Sequence, residues 1–170
     1  METQRAWAGP FVPLGRKMTY WEKCSMTHGV DTDFLVAVEV RDHPLHLRAN
    51  SLVDQLLDEN HTFAIAPQTL AEFIHVVTDA RRMPEPLSIN EAIDRAERWW
   101  QATEVVRVFP ENEAAAGFLS WMREHRLGRK RLLDTLLAAT FFRAGIRRMI
   151  TNNGADYRVF GVFEIIDYAS

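Results

Sequence analysis

Residues 63–77 read FAIAPQTLAEFIHVV, and this stretch decides the fold. Phe63-Ala64-Ile65 is a short apolar run bounded by polar residues on its N-terminal side, the pattern of a buried strand. Pro67 follows almost at once, and proline suits the first turn of a helix, where its missing N–H has no partner to lose. Helical patterning then runs to about Val77. A buried strand that leads within two residues into a helix is the opening half of a β–α–β unit. One residue is out of character. Glu72 lies between Leu70-Ala71 and Phe73-Ile74, in the company of core residues.

The same alternation extends in both directions. Upstream, the short segment HGVDT (28–32) precedes a helical stretch, DFLVAVEV (33–40). A second helical stretch runs from about Pro44 to Asp58, with Leu45, Ala49, Leu52, Val53, Leu56 and Leu57 on one stripe, and Glu59-Asn60 ends it. Downstream, Arg81 to Pro86 reads as a loop. Ser88 caps the next helix, with Glu91 three residues on as its capping-box partner. Val105 to Val108 is a strand, a helix follows from about Asn112 to Glu124, and Gly128 marks a turn. The most apolar helix runs from about Leu132 to Ala144. Met149-Ile150-Thr151 is a strand that ends in the turn Asn152-Asn153-Gly154, and Val162 to Ile166 is the last strand. Strands alternating with helices predict a single α/β domain, with a central parallel sheet of four to five strands flanked by helices. Sheets of this kind bind ligands outside the carboxyl ends of their strands.

Composition sets the bounds. A chain of 170 residues suits one domain, and 47% hydrophobic with 25% charged residues is the balance of a soluble globular protein. No apolar run is long enough to span a bilayer, and the N-terminus has no apolar core of an export signal, so no membrane association is expected. One cysteine, Cys24, allows no internal disulfide and suits a reducing cytoplasm. Residues 1–25 lack periodicity and carry Gly9, Pro10, Pro13 and Gly15. They read as an N-terminal extension to a domain over 26–170, and Met18 and Met26 leave room for a later start. The net charge of −3 argues against coating nucleic acid by charge alone, but an acidic site can stand beside a local basic patch.

Three acids stand in apolar surroundings. Asp134 lies within LLDTLLAA (132–139), Glu72 has been described, and Asp31 follows Gly29-Val30 at the end of the first strand. A buried carboxylate without a partner costs several kcal/mol or becomes neutral. A single such acid is ordinarily an N-cap or an arginine partner. Three of them, each at the start of a helix that follows a strand or turn, suggest convergence, and converging acids require a cation. Hard oxygen ligands favour Mg²⁺ or Mn²⁺. Asp156, just past the strand ending at Thr151, fits the same plan as a fourth acid. Thr151 and Asn153 offer neutral oxygens to orient a ligand, although Asn153-Gly154 alone is simply a common turn.

Taken in order, these segments resemble the PIN-domain family, VapC-type toxins in particular. Asp31-Thr32-Asp33 resembles its strand-end acid motif. Pro67 to Phe73 resembles its helix-borne glutamate, and Leu133 to Ala139 its leucine-rich acidic helix. Thr151 to Tyr157 resembles its threonine–asparagine–aspartate–aromatic turn. Order and spacing match from Met26 to the C-terminus. Asp33 stands where asparagine is usual, and Tyr157 where phenylalanine is commoner. The resemblance implies a divalent-metal-dependent endoribonuclease, the toxin of a type II toxin–antitoxin pair, that works as a homodimer with a cognate antitoxin protein as partner. Asp31, Glu72, Asp134 and Asp156 would be both catalytic acids and metal ligands for Mg²⁺ or Mn²⁺, with Thr32, Thr151 and Asn153 supporting them. The substrate class it implies is single-stranded or looped RNA.

Arg126, Arg129, Lys130 and Arg131 cluster before Asp134. They read either as a grip on RNA phosphates or as a solvated turn that pairs with the acids. Six histidines are scattered, and only His43 and His46 are spaced like ligands, so no zinc site is expected. Trp99-Trp100 reads as core with partial exposure. Two alternatives remain: a catalytically silent PIN-like domain that binds RNA or a protein, and a haloacid-dehalogenase-like phosphatase suggested by the Asp31/Asp33 pair. The second lacks that family's lysine and downstream aspartates.

Overall fold

A computed structural model describes residues 26–169; the expectations for residues 1–25 and for Cys24 lie outside the described residues. The first strand, β1 (Thr27–Val30), leads through Asp31 into α1 (Thr32–Glu39). Then come α2 (His46–Asp58), β2 (Thr62–Ile65), α3 (Pro67–Val77) and α4 (Ile89–Gln101). After β3 (Val105–Arg107) and α5 (Asn112–Glu124), a single 3-10 turn at Arg129–Arg131 feeds α6 (Leu132–Arg143). The chain closes with β4 (Arg148–Ile150), α7 (Ala155–Arg158) and β5 (Glu164–Ile166).

All four strand pairings are parallel and the order is β3-β2-β1-β4-β5. The chain therefore winds outward from β1 to β2 and β3, then returns to lay β4 and β5 on the other side. The reversal falls between β1 and β4, where Val30 is in register with Ile150. In a doubly wound sheet this is the point at which adjacent helices diverge and leave a crevice. Asp31 and Thr151 are the next residues on the two strands.

Alternation along the strands sorts the core onto the two faces of the sheet. Val30, Phe63, Ile65, Val105 and Ile150 pack with α1, α2, α3 and α4 residues such as Phe34, Leu56, Phe73 and Trp99. Ala64 and Met149 pack on the opposite face with Leu137 and Phe141 of α6 and Tyr157 of α7. Gly29 makes that second layer possible. A Cβ there would come within 2.6 Å of Met149 Sδ and 2.7 Å of a Phe141 ring carbon, so α6 lies directly on β1. That contact brings the helix carrying Asp134 to the strand ending at Asp31.

The expected capping box is present, with the Ser88 hydroxyl accepting from Glu91 N–H and the Glu91 carboxylate accepting from Ser88 N–H. Trp99 is core and Trp100 half-buried. Three expectations need correction. The fourth strand ends at Ile150 rather than Thr151: the Thr151 N–H makes one more bond to the fifth strand, at the Ile166 carbonyl, while its hydroxyl turns to the acids. The turn after it rolls into the four-residue helix α7, which has no apolar repeat to announce it. The last strand starts at Glu164 rather than Val162, just after the positive-φ Gly161 (φ 66). Among the described residues, no helix is long and apolar enough to cross a membrane.

Candidate active site

Asp31 caps α1, its Oδ1 accepting from Thr32 N–H at 2.8 Å. Its other oxygen accepts from the Thr151 hydroxyl at 2.9 Å, which ties the ends of β1 and β4 together. The Thr151 oxygen in turn accepts from Asn153 N–H. Thr32 donates its hydroxyl to Glu72 Oε2 at 2.9 Å and so links α1 to α3. Thr32, Thr151 and Asn153 thus hydrogen-bond to Glu72, Asp31 and Asp156 in turn.

Glu72 comes from the middle of α3 rather than from its start, one and a half turns in. Asp134 and Asp156 lie in the first turns of α6 and α7. Asp134 is flanked by charge: Asp31, Asp156 and Glu72 all act on it electrostatically. Asp31, Glu72 and Asp156 thus lie near enough for their charges to act on Asp134, although among the described residues no three of these side chains form a compact ligand set. Despite its apolar neighbours, Asp134 stands on a face that solvent reaches, since its side chain keeps 24% exposure and Leu132 and Leu133 beside it are exposed.

The electrostatics follow from this crowding. Burial, then the charge of Asp33, pushes the Asp31 carboxyl up from the ordinary carboxylate range to about 7. Burial likewise pushes Asp33 up. Asp134 is raised to about 6, by burial first and then by Asp31, Asp156 and Glu72. These acids resist carrying their charges together, which is how a site waiting for a cation behaves.

Unmet hydrogen-bond capacity collects in the same place. Gln68 Nε2, Thr69 Oγ1, Arg131 Nε and Thr135 Oγ1 are buried without hydrogen-bond partners. Each is within four residues of one of the four acids. Among the described residues, His28 Nδ1 is another such atom and lies away from these acids. Buried polar atoms left unpaired are rare, and a concentration of them marks a functional site better than it marks a core.

Sequence reasoning underweighted two residues. Asp33 belongs to the same network, its Oδ2 accepting from Asn152 N–H at 2.8 Å and from Thr151 at 3.3 Å. Tyr157 is wholly buried beside Asp31 and Asp134, and its position directly after Asp156 was the available signal. The basic cluster splits. Arg126, Arg129 and Lys130 are exposed, whereas Arg131 pairs with Asp156 at 2.8 Å and approaches Asp134 at 3.7 Å. The phosphatase alternative needs a lysine beside the acid pair, and Lys130, the lysine of residues 26–169, is exposed in that turn. A groove of about 1010 Å³ between α1, α2 and α4 contains none of the four acids and plays no part in this arrangement.

No protein-family model matches the chain, and no curated protein matches it in sequence. Solved structures do match. VapBC-1 from nontypeable Haemophilus influenzae superposes with a TM-score of 0.61 at 17% identity, covering 85% of this chain and 100% of that one. Mycobacterium tuberculosis VapC20, described as a sarcin–ricin loop cleaving toxin, gives 0.63 at 18% identity, covering 80% and 96%. The chain has the PIN-domain fold of the VapC-type toxins. FitAcB from Neisseria gonorrhoeae gives 0.57 at 18% identity over 85% of this chain and 99% of that one. The PIN fold accounts for the sheet order and for the crevice that receives the four acids.

Proposed function

We propose that this PIN-fold chain is a divalent-metal-dependent endoribonuclease and the toxin of a toxin–antitoxin pair. The observation that supports it most is the convergence of Asp31, Glu72, Asp134 and Asp156 at the β1–β4 crevice, with Asp134 pushed up to about 6 in their midst. The donor set is all oxygen, which fits Mg²⁺ or Mn²⁺, and the unpaired polar atoms around it fit a site built for a ligand rather than for packing. A divalent ion bound there supplies a lowered pKa for water and charge stabilisation at the scissile phosphate. The chain's own residues do the positioning. Thr151 holds Asp31, Thr32 holds Glu72, and Asn153 holds Asp156. Arg126, Arg129 and Lys130 offer exposed charge for the RNA backbone on the turn that leads into the Asp134 helix.

RNA as substrate is supported by the description of VapC20 as a toxin that cleaves the sarcin–ricin loop. An antitoxin partner is supported by the VapBC-1 structure, and a homodimer by the resemblance alone. The working compartment under this reading is the cytoplasm.

A second reading is a binding domain without catalysis. It is favoured by one observation: among the described residues, no three His, Cys, Asp or Glu side chains form a compact ligand set. One experiment separates the two. The purified chain, free of any partner, is incubated with structured RNA in Mg²⁺, in Mn²⁺ and in EDTA, with Asp134→Asn alongside. Cleavage that needs metal and vanishes in the variant is the expected outcome. Tight RNA binding that ignores EDTA, without cleavage, would replace the nuclease with the binding domain.

A further inference from the structure

The Asp134–Asp156 side of the crevice already holds a cation supplied by the chain. Arg131 closes the 3-10 turn that precedes α6. Its Nη1 lies 2.8 Å from Asp156 Oδ1, its Nη2 donates to the Asp156 carbonyl oxygen, and its Nε stands 3.7 Å from Asp134 Oδ2. The other Asp156 carboxylate oxygen accepts from Asn153 Nδ2. Both oxygens of Asp156 are therefore engaged within the chain, which leaves about one lone-pair site on each for any other partner. Arg131 itself is only half satisfied. Its Nε is buried and has no hydrogen-bond partner, because the Asp134 oxygen is too far away to accept. A guanidinium fixed at one end of its fork and unpaired at the other is a partner that can be exchanged.

We propose that Arg131 is an exchangeable internal counter-cation: its guanidinium and a divalent ion compete for Asp156 and Asp134, and the guanidinium leaves when the ion enters. This rests on the metal reading above. The competition is set by charge and geometry. Four carboxylates tolerate one another only when positive charge stands among them, and guanidinium or metal supplies it. The guanidinium faces Asp156 and Asp134 with one positive charge, whereas a divalent ion would bring two. Arginine at this position therefore sets how much free metal the crevice needs before it fills.

Direct Mn²⁺ binding tests this without any cleavage readout. The full chain is titrated with Mn²⁺, free ion being counted by electron paramagnetic resonance, for the parent, Arg131→Gln, Arg131→Lys, Arg129→Gln and Asp134→Asn, with circular dichroism to check folding. Arg131→Gln is expected to bind about tenfold tighter, the scale of one charge-assisted hydrogen bond. Arg131→Lys keeps the charge but cannot fork across two carboxylates, and is expected to bind about threefold tighter. Arg129→Gln removes the same charge from an exposed neighbour and should change affinity less than about twofold. Parent-like affinity in the Arg131 variants, or an equal gain in Arg129→Gln, overturns the competition. If Arg131→Gln does not fold, the lysine variant decides alone. Mn²⁺ bound by the parent and lost in Asp134→Asn, with no change in the Arg131 variants, removes this inference and leaves the metal reading standing. No Mn²⁺ bound by any folded variant removes both.

Discussion

On the β1–β4 side of the crevice, carboxylates meet neutral donors. Asp31 is held by a backbone N–H and the Thr151 hydroxyl, Asp33 by Asn152 N–H, and Glu72 by the Thr32 hydroxyl. On the α6–α7 side, Asp134 and Asp156 meet a guanidinium. The donors differ because the supports differ. β1 and β4 are adjacent central strands, so Thr151 is fixed by the sheet itself and can fix Asp31 in turn. α7 has four residues and no apolar repeat, and its acid is placed by side chains on a turn. Neutral hydrogen bonds orient a carboxylate and leave its charge uncompensated, whereas an ion pair compensates the charge and engages the oxygens. The first half is thus preorganised with its charge uncompensated, and the second is partly compensated by Arg131 on more rearrangeable supports, although Asp134 is still pushed up to about 6.

If that contrast is right, the largest effect belongs to Asp31. Asp31→Asn should lower cleavage by about three orders of magnitude, the scale of losing a group that stabilises transition-state charge. The same change should relieve strain. The Asp31 carboxyl is pushed up to about 7 when folded, against 3.8 for an ordinary aspartate, so the folded chain favours its neutral form. The stability this gives is complete below 3.8 and is lost as pH rises towards 7. Asparagine mimics the neutral acid, so in EDTA the variant should melt at a higher temperature than the parent at pH 8 and gain nothing at pH 4. His28 acts in the opposite sense, pushed down to about 4 by burial and then by His61, so it destabilises the fold as pH falls from 6.5. The difference between parent and variant is therefore what should be read. A variant less stable than the parent at pH 8 would show that Asp31 is comfortably paired, and the β1–β4 half would not be strained.

A medium effect separates the two supports. Thr151 is wholly buried and serves Asp31 and Asn153 N–H together, so Thr151→Val strands both at a cost of about 2–3 kcal/mol. Asn153 supports Asp156 from an exposed position, and Asn153→Ala should cost less than about 1 kcal/mol. Urea midpoints measure both. Equal costs would mean that α7 is as firmly built into the sheet as β4, and the contrast between the halves would fail.

Much of this was legible in the sequence where apolar periodicity carries the information. FAIAP at 63–67 gave β2 and the start of α3 because burial on both faces and proline at the first turn leave few alternatives. Asp31, Glu72 and Asp134 stood out because each breaks an apolar context, and Asp156 by its place just past the fourth strand. What stayed hidden has no periodicity to read. α7 is one turn long, the pairing of Arg131 is a rotamer choice, and the exposure of Leu132 and Leu133 depends on which side of α6 the sheet leaves open. Glu72 was placed correctly on α3 but too near its start, because a carboxylate's reach along a helix is a matter of direction and not of spacing. Asp33 was noticed as added charge, but its hydrogen bond to Asn152 needed β4 beside β1, a pairing of residues 119 apart in the chain.

The smallest effect tests what stands outside both halves. Arg129 and Lys130 are exposed, and neither has an ion pair among the described residues, unlike Arg131 next to them. If they grip RNA, they do so as point charges that release counterions, and each contact adds about 0.7 to the slope of log affinity against log salt for a single strand. The double variant Arg129→Ala/Lys130→Ala should lower that slope by about 1.4, raise KM a few-fold at moderate salt and leave kcat unchanged. It should also leave the melting temperature alone, since neither side chain is packed. A slope that does not move would take these two residues out of the interface and leave Arg131, once displaced, as the cation of this turn that faces the phosphate. A fall in kcat instead would mean that the turn positions α6, and with it Asp134, so that the α6–α7 half of the crevice is held from the basic turn as well as from Asp156.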